Sequence, residues 1–244
     1  MTYAIVGASA GVGRALATRF AAAGHDVVLV ASDERDVRAT AADLAIRHGV
    51  RARWVAADAA ADRRCGERIA EVAREMGGLD GVLFPIGAVS PADDVSHDVD
   101  RAARLLDVNF GAVLAIATKL LPELLIRPRA AIVGFGSVAA VRGRRRNVAY
   151  AAAKRALASL FESLRHACAD TGVTVQFYVL GYMDTEMAAG IRTPLPKGDP
   201  AALGDLVLRN LVRDVSVVYY PRFWRAVCLL VPVVPWSVFK RLRF

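Results

Sequence analysis

The chain has 244 residues, enough for one α/β domain with a full hydrophobic core, whereas two domains would each be small. Thirty-two Lys and Arg against 24 Asp and Glu give a formal charge of +8, which favours anionic ligands, anionic membranes or nucleic acid without choosing among them. Three widely spaced cysteines, Cys65, Cys168 and Cys228, with no CxxC and no His cluster, argue against a disulfide framework and against a metal site, and fit a reducing, cytoplasmic compartment.

From Met1-Thr2-Tyr3 the sequence enters an apolar strand at once, without the n-region, h-region and cleavage site of a signal peptide. Short β-branched runs then alternate with longer segments of helical period: YAIV, residues 12–23, DVVLV, residues 35–47, RARWVAA, residues 63–76 and DGVLF. This alternation predicts βαβ units. It continues with a long helix over 101–125, the strand AAIVGF, a helix over 148–169 and the strand VTVQFYVL. Near-continuous apolar strands of this kind suit a parallel sheet covered on both faces. Residues 91–97 and the proline-rich 192–200 read as loops, 201–213 as a helix and 216–220 as a strand. No repeat, low-complexity tract or linker interrupts the pattern. Residues 1–220 thus form one domain, followed by an apolar and basic tail over 221–244.

Gly7-Ala8-Ser9-Ala10-Gly11-Val12-Gly13 falls between the first strand and the first helix. Glycines there permit a tight turn and let backbone N–H groups approach a pyrophosphate, although GxxxGxG differs from the GxGxxG fingerprint. Further along, Tyr150 and Lys154 stand at i and i+4, on one face of one helix. An ammonium beside a phenol favours the phenolate and lowers a pKa that starts at about 10, toward useful acid/base strength. Ser137, in GFGSVAA, precedes Tyr150 by thirteen residues, and Asn109 lies earlier, in LLDVNFGA.

With this glycine loop and the Ser137, Tyr150 and Lys154 spacing, the chain resembles the short-chain dehydrogenase/reductase family over about residues 2–220. The resemblance implies an α/β, single-domain Rossmann-like doubly wound parallel sheet in strand order 3-2-1-4-5-6-7, with helices on both faces. It also implies a nicotinamide dinucleotide and a catalytic group of Asn109, Ser137, Tyr150 and Lys154. In that group Tyr150 exchanges the proton with the substrate oxygen, Ser137 hydrogen-bonds that oxygen, Lys154 holds the nicotinamide ribose and tunes Tyr150, and Asn109 positions a relay water. Gly7, Ser9, Gly11, Val12, Gly13, Ser32, Asp58, Gly87 and Thr185 would contact the cofactor. Asp58 would bind the adenine amino group, or else serve only as a strand-end turn residue. Thr185 ends Leu180-Gly181-Tyr182-Met183-Asp184-Thr185, where Leu180 replaces the family's proline and a less rigid loop is expected. Phe84-Pro85-Ile86-Gly87 stands where the family has Asn-Asn-Ala-Gly, and only Gly87 survives.

Cofactor choice rests on the end of the second strand, Val30-Ala31-Ser32-Asp33, where Ala31 stands in place of the acidic residue that reads an NAD ribose. Ser32 with Arg35 within reach favours NADP(H) over NAD(H). Arg142, Arg144, Arg145 and Arg146 lie between the serine strand and the tyrosine helix, at the end of the sheet where open α/β folds bind ligands. They are either a solvated loop or an anion-recognising rim. The tail offers two readings as well. Its aromatics, apolar centre and basic ends suit an anionic bilayer interface, while the alternative is packing over the core or an oligomer contact. Its fourteen-residue apolar run, 226–239, falls short of the roughly 20 residues a spanning helix needs. The sequence therefore predicts an enzyme interconverting a ketone and a secondary alcohol. A phosphate-bearing lipid such as a polyprenyl-phosphate keto-sugar is the favoured substrate, and a 3-oxoacyl chain on an acyl carrier protein is the alternative. A homodimer or tetramer through the helices at 101–125 and 148–169 is also expected from the family. A non-catalytic dinucleotide-binding module is disfavoured by the intact Ser137, Tyr150 and Lys154. Nucleic-acid binding is disfavoured by basic clusters without interleaved aromatics.

Overall fold

In the computed structural model, which describes residues 1–94, 98–188, 190 and 195–242, seven strands form one sheet. They are β1 (Thr2–Val6), β2 (Asp26–Ala31), β3 (Ala52–Ala56), β4 (Gly81–Phe84), β5 (Ala130–Ser137), β6 (Val173–Leu180) and β7 (Val217–Tyr220). All pair in parallel in the order β3-β2-β1-β4-β5-β6-β7, as expected. The order reverses between β1 and β4, so their carboxyl ends open the crevice in which such sheets bind ligands. The strands carry apolar residues at successive positions because helices cover both faces: every residue of β1 and β4 is buried. One core layer joins the sheet to α3 (Cys65–Glu75), α5 (Ala112–Leu125) and α6 (Val148–Ala167) through Ile69, Ile116, Leu120, Leu157 and Phe161. The other joins it to α1 (Gly11–Ala22), α2 (Glu34–His48) and α7 (Pro200–Asn210) through Leu16, Phe20, Leu44, Leu203 and Val207.

The helix expected over 101–125 differs from a single α-helix. It starts at Val99 as α4 (Val99–Leu106), widens into a π turn at Asp107–Gly111 and continues as α5. Asn109 sits in that turn and its amide donates to the Leu105 carbonyl four residues back. Side-chain competition for a helix carbonyl is one physical source of such irregular turns, which are frequent at functional sites. Val99–Leu125 has the length and apolarity of a membrane span, but Val113, Ile116, Leu120 and Leu124 are buried in the core. Aspartates start α2, α4 and α7, where Asp33, Asp98 and Asp199 accept from backbone N–H groups of the first turn. The expected loops at 91–97 and 192–200 are described except for residues 95–97 and 192–194.

The tail is folded. A cis Tyr220–Pro221 bond leads into α8 (Trp224–Leu230), a 3-10 turn at Val231–Val233 and α9 (Trp236–Phe239). Trp224, Cys228 and Phe239 are buried against the body, whereas Leu229, Leu230, Val233, Trp236 and Val238 are all more than half exposed. The apolar helical run Trp224–Val233 is about 15 Å long at 1.5 Å per residue, half a bilayer's hydrocarbon core. Of the basic end, Arg243 and Phe244 lie outside the described residues.

Candidate active site

The glycine loop closes on itself by sterics that only glycine satisfies. Gly7 has φ +94° and a Cβ there would lie 2.7 Å from the Ile86 Cα. A Cβ on Gly13 would collide with the Gly7 carbonyl oxygen. The N–H groups of Gly7 and Ala8 both donate to the Val30 carbonyl, at 2.8 and 3.0 Å, tying the loop to β2. Val12, partly buried, packs on the α1 side of the core, while Ser9 is partly exposed on the loop. α1 then begins at Gly11 with no side-chain cap and no acidic residue in its first turn. Thr185 faces this start, 3.2 Å from where a Gly11 Cβ would stand. The replacement of proline by Leu180 does not leave that segment loose. Gly181 donates to the Tyr220 carbonyl, Asp184 donates to the Gly198 carbonyl, and Gly198 donates to the Tyr182 carbonyl, across a short parallel bridge of Met183 with Gly198.

At the end of β2, Ser32 is exposed and Asp33 is turned to cap α2, accepting from the Asp36 N–H at 3.0 Å. Arg35 is exposed and, among the described residues, has no carboxylate partner. Asp58, expected at the adenine, is engaged otherwise: Arg104 donates to it at 2.6 Å and the Ala60 N–H at 3.1 Å. The Arg104 bond holds its carboxyl below the usual range. Its turn-forming role is therefore visible, and an adenine amino group would have to compete with the arginine.

Gly87 leaves room for two buried side chains, Asn109 and Lys154. A Cβ there would stand 3.0 Å from Asn109 Oδ1 and 3.4 Å from Lys154 Nζ. Asn109, fully buried, clamps the Ala88 backbone, accepting from its N–H at 3.2 Å and donating to its carbonyl at 2.8 Å. Its side chain is thus spent on the protein. Lys154 is also buried and donates to the carbonyls of Ile86 and Phe135 at 3.3 and 3.2 Å. Burial lowers its pKa from 10.5 to about 8.

Ser137 closes β5 with its Oγ accepting from the Ala139 N–H at 3.1 Å, which leaves the hydroxyl hydrogen for another acceptor. Tyr150 is hydrogen-bonded to Ser137. The phenol differs from the expectation that Lys154 draws its pKa down. Burial raises it, against a partial lowering by Ser137 and by the charge of Arg144. The Lys154 ammonium lies 5.9 Å from the tyrosine ring centroid and is itself desolvated. In this state Tyr150 is a neutral acid at pH 7.

The arginine run divides. Arg145 and Arg146 are exposed and Arg144 is partly buried near Tyr150. Arg142, expected with them on the rim, is not free for a ligand. It donates to the Val231 and Val234 carbonyls of the tail at 2.9 and 2.6 Å, and its guanidinium stacks 3.9 Å over the Phe239 ring.

A family model described as short chain dehydrogenase matches residues 2–195. The chain belongs to the short-chain dehydrogenase family. The 1-deoxy-11-beta-hydroxypentalenate dehydrogenase of Streptomyces exfoliatus is 33% identical over 212 residues, 85% of this chain and 76% of that one. The cis-4-hydroxycyclohexanecarboxylate dehydrogenase of Sinomonas cyclohexanicum is 29% identical, over 77% of this chain and 75% of its own length. Among solved structures, a short-chain dehydrogenase from Sphingobium yanoikuyae in complex with NADPH superposes with a TM-score of 0.81 at 27% identity, covering 99% of this chain and 96% of that one. This dehydrogenase is an oxidoreductase of the hydroxyl–ketone class with a nicotinamide-dinucleotide fold.

The residues of the dehydrogenase fit a dinucleotide on physical grounds. Helix α1 starts uncapped and free of carboxylates behind a loop that excludes side chains, which is the chemistry a pyrophosphate needs. One positioning residue escaped the sequence reading. Asp93, in the expected 91–97 loop, is buried and crosses to the start of α6, accepting from the N–H groups of Ala149 and Tyr150, both at 2.9 Å. Its carbonyl also takes the Asn147 N–H at 2.6 Å, where Asn147 turns the chain with φ 58°. Helix α6 has no cap of its own from Asn147, so Asp93 serves as its cap from 56 residues away. Nothing in the local sequence signals a cap supplied across the fold.

Proposed function

We propose that this dehydrogenase reduces a ketone to a secondary alcohol with NADPH, Tyr150 giving the proton. The observation that carries the reading is a phenol kept protonated by burial and hydrogen-bonded to Ser137, with the buried ammonium of Lys154 on the same helix. A bound nicotinamide dinucleotide would supply the hydride. Ser137 would turn its hydroxyl hydrogen from the Tyr150 oxygen to the substrate oxygen, orienting the carbonyl toward Tyr150, and Lys154 would hold the nicotinamide ribose. Asn109 would keep the Ala88 backbone in place beside Gly87. Support for NADPH over NADH comes from exposed Ser32 and Arg35, and from Asp33 being spent on a helix cap. Tyr150→Phe should abolish NADPH oxidation on every ketone the wild type turns over while leaving NADPH binding intact. Turnover by that variant would refute the role.

The finer reading concerns substrate and setting. Arg144, Arg145 and Arg146 favour a substrate with an anionic group, such as a keto-sugar on a polyprenyl phosphate, and an acyl-carrier-protein thioester suits the same charge. Exposed Leu229, Leu230, Val233 and Trp236, flanked by Arg222, Arg225, Lys240 and Arg241, favour a cytoplasmic enzyme seated on an anionic membrane face. Sedimentation of the full chain with anionic liposomes, lost when residues 222–244 are removed, tests this; equal behaviour of both chains refutes it. Exposed Leu106 and Leu114 on the α4–α5 helix and Val148 on α6 support pairing of two copies through these helices. A mass consistent with a monomer by light scattering would exclude that arrangement.

A further inference from the structure

Two fastenings join the tail to the segments that leave the neighbouring ends of β5 and β6, beside the catalytic group. In one, Arg142, five residues after Ser137, binds the carbonyls of Val231 and Val234 and stacks over Phe239. Those carbonyls close the helical run that starts at Trp224, where unsatisfied acceptors and the negative end of the dipole favour a cation. In the other, the Trp224 indole packs so tightly on Gly181 that any Cβ at that position would overlap its ring. Gly181 lies four residues before Thr185 and donates to the Tyr220 carbonyl, and the Tyr182 ring sits 5.9 Å from that of Trp224. Among the described residues of the tail, Trp224, Cys228 and Phe239 are the buried positions, Phe223, Val227, Val231 and Val234 are half-buried, and Leu229, Leu230, Val233, Trp236 and Val238 face outward.

We infer that residues 224–239 brace the active site. They bridge the loop between Ser137 and Tyr150 to the Gly181–Thr185 segment, and fix the width of the substrate mouth between them. Arg142 is then a positioning residue acting through the tail rather than a ligand for substrate. The inference takes the reductase reading as its frame, since the mouth is that of the ketone site. It gives the glycine at 181 its reason: only glycine admits the indole that anchors the brace. It also divides the arginine run by role, with Arg142 structural and Arg145 and Arg146 exposed to solvent.

Hydrogen exchange on the full-length protein, without substrate, tests the brace independently of turnover. Phe239→Leu keeps apolar volume but removes the ring under the guanidinium, and it lies far in sequence from the catalytic loop. In this variant and in Arg142→Ala, amides of 138–147 should exchange about tenfold faster, the signature of a local opening made easier, while amides of the glycine loop keep wild-type rates. Phe239→Tyr retains a ring and should restore wild-type exchange. Gly181→Ala, which unseats the indole, should loosen 231–239 and 138–147 together. On a ketone the wild type reduces, Phe239→Leu should raise KM about tenfold with a smaller change in kcat. Wild-type exchange at 138–147 in both Phe239→Leu and Arg142→Ala would overturn the brace. If the wild type turns over no ketone, the reductase reading fails, while the exchange result still decides whether the brace exists.

Discussion

Asp93→Ala removes the carboxylate that starts the tyrosine helix from a distant loop. Two bonds of 2.9 Å to the N–H groups of Ala149 and Tyr150 are lost, and both donors are left without that acceptor at a buried helix end. Hydrogen bonds to a charged group contribute about 1.5–3 kcal/mol each, and single N-cap aspartates about 0.5–2 kcal/mol. Taking the lower figure for each of two bonds gives about 3 kcal/mol of lost stability. Asp93→Asn keeps one acceptor oxygen but turns an NH2 group toward an N–H, so about half of that loss is expected. Urea unfolding followed by tryptophan fluorescence should show a lower midpoint with an unchanged slope. Because the Tyr150 N–H is one of the two donors, the first turn of α6 should loosen and kcat should fall on the order of tenfold or more, as for other small misplacements of reacting groups. An unfolding free energy within about 0.5 kcal/mol of wild type, the range of neutral surface changes, would refute the reasoning that this carboxylate starts the helix.

Lys154 titrates at about 8 in the folded chain against 10.5 for a free lysine, so it is charged below about 8 and neutral above. Reductive kcat/KM should therefore decline as pH rises through about 8. Between about 8 and 10.5 the unfolded chain binds the extra proton, so stability contributed at this position rises with pH across that window. The same rise should be absent in Lys154→Met, and a parallel pH profile for the two proteins would contradict it. Gly13→Ala drives a methyl into the Gly7 carbonyl and should cost about 3 kcal/mol, the upper end of overpacking penalties. Nucleotide binding should be lost with it, read by NADPH fluorescence, and normal binding would show that the loop can move aside. Arg35→Ala should raise the KM for NADPH about tenfold, or about 1.4 kcal/mol, with little change for NADH. An equal effect on both cofactors would remove Arg35 from the choice.

Much of this was legible in the chain because it depends on local pattern. Apolar strands alternating with helical segments specify a parallel sheet, since only a sheet covered on both faces can bury strands such as Val27 to Val30 without polar interruption. The glycines at 7, 11 and 13 could be read because backbone sterics leave no other residue for that turn. The four-residue spacing of Tyr150 and Lys154 puts both on one helix face wherever that helix packs. Other properties depend on neighbours far away in sequence. The π turn that sets Asn109 against Ala88, and the cap that Asp93 carries to Tyr150, arise where separate loops meet. The direction of the Tyr150 shift was set by burial, which spacing cannot report. Arg142 looked like its arginine neighbours until the fold brought Val231, Val234 and Phe239 to it. Sequence determined which residues form elements and which carry reactive groups, because sterics and periodicity act within a few residues. Tertiary structure decided the charge state of those groups and which arginine is spent on the protein, because desolvation and hydrogen-bond partners are supplied by chain tens of residues away.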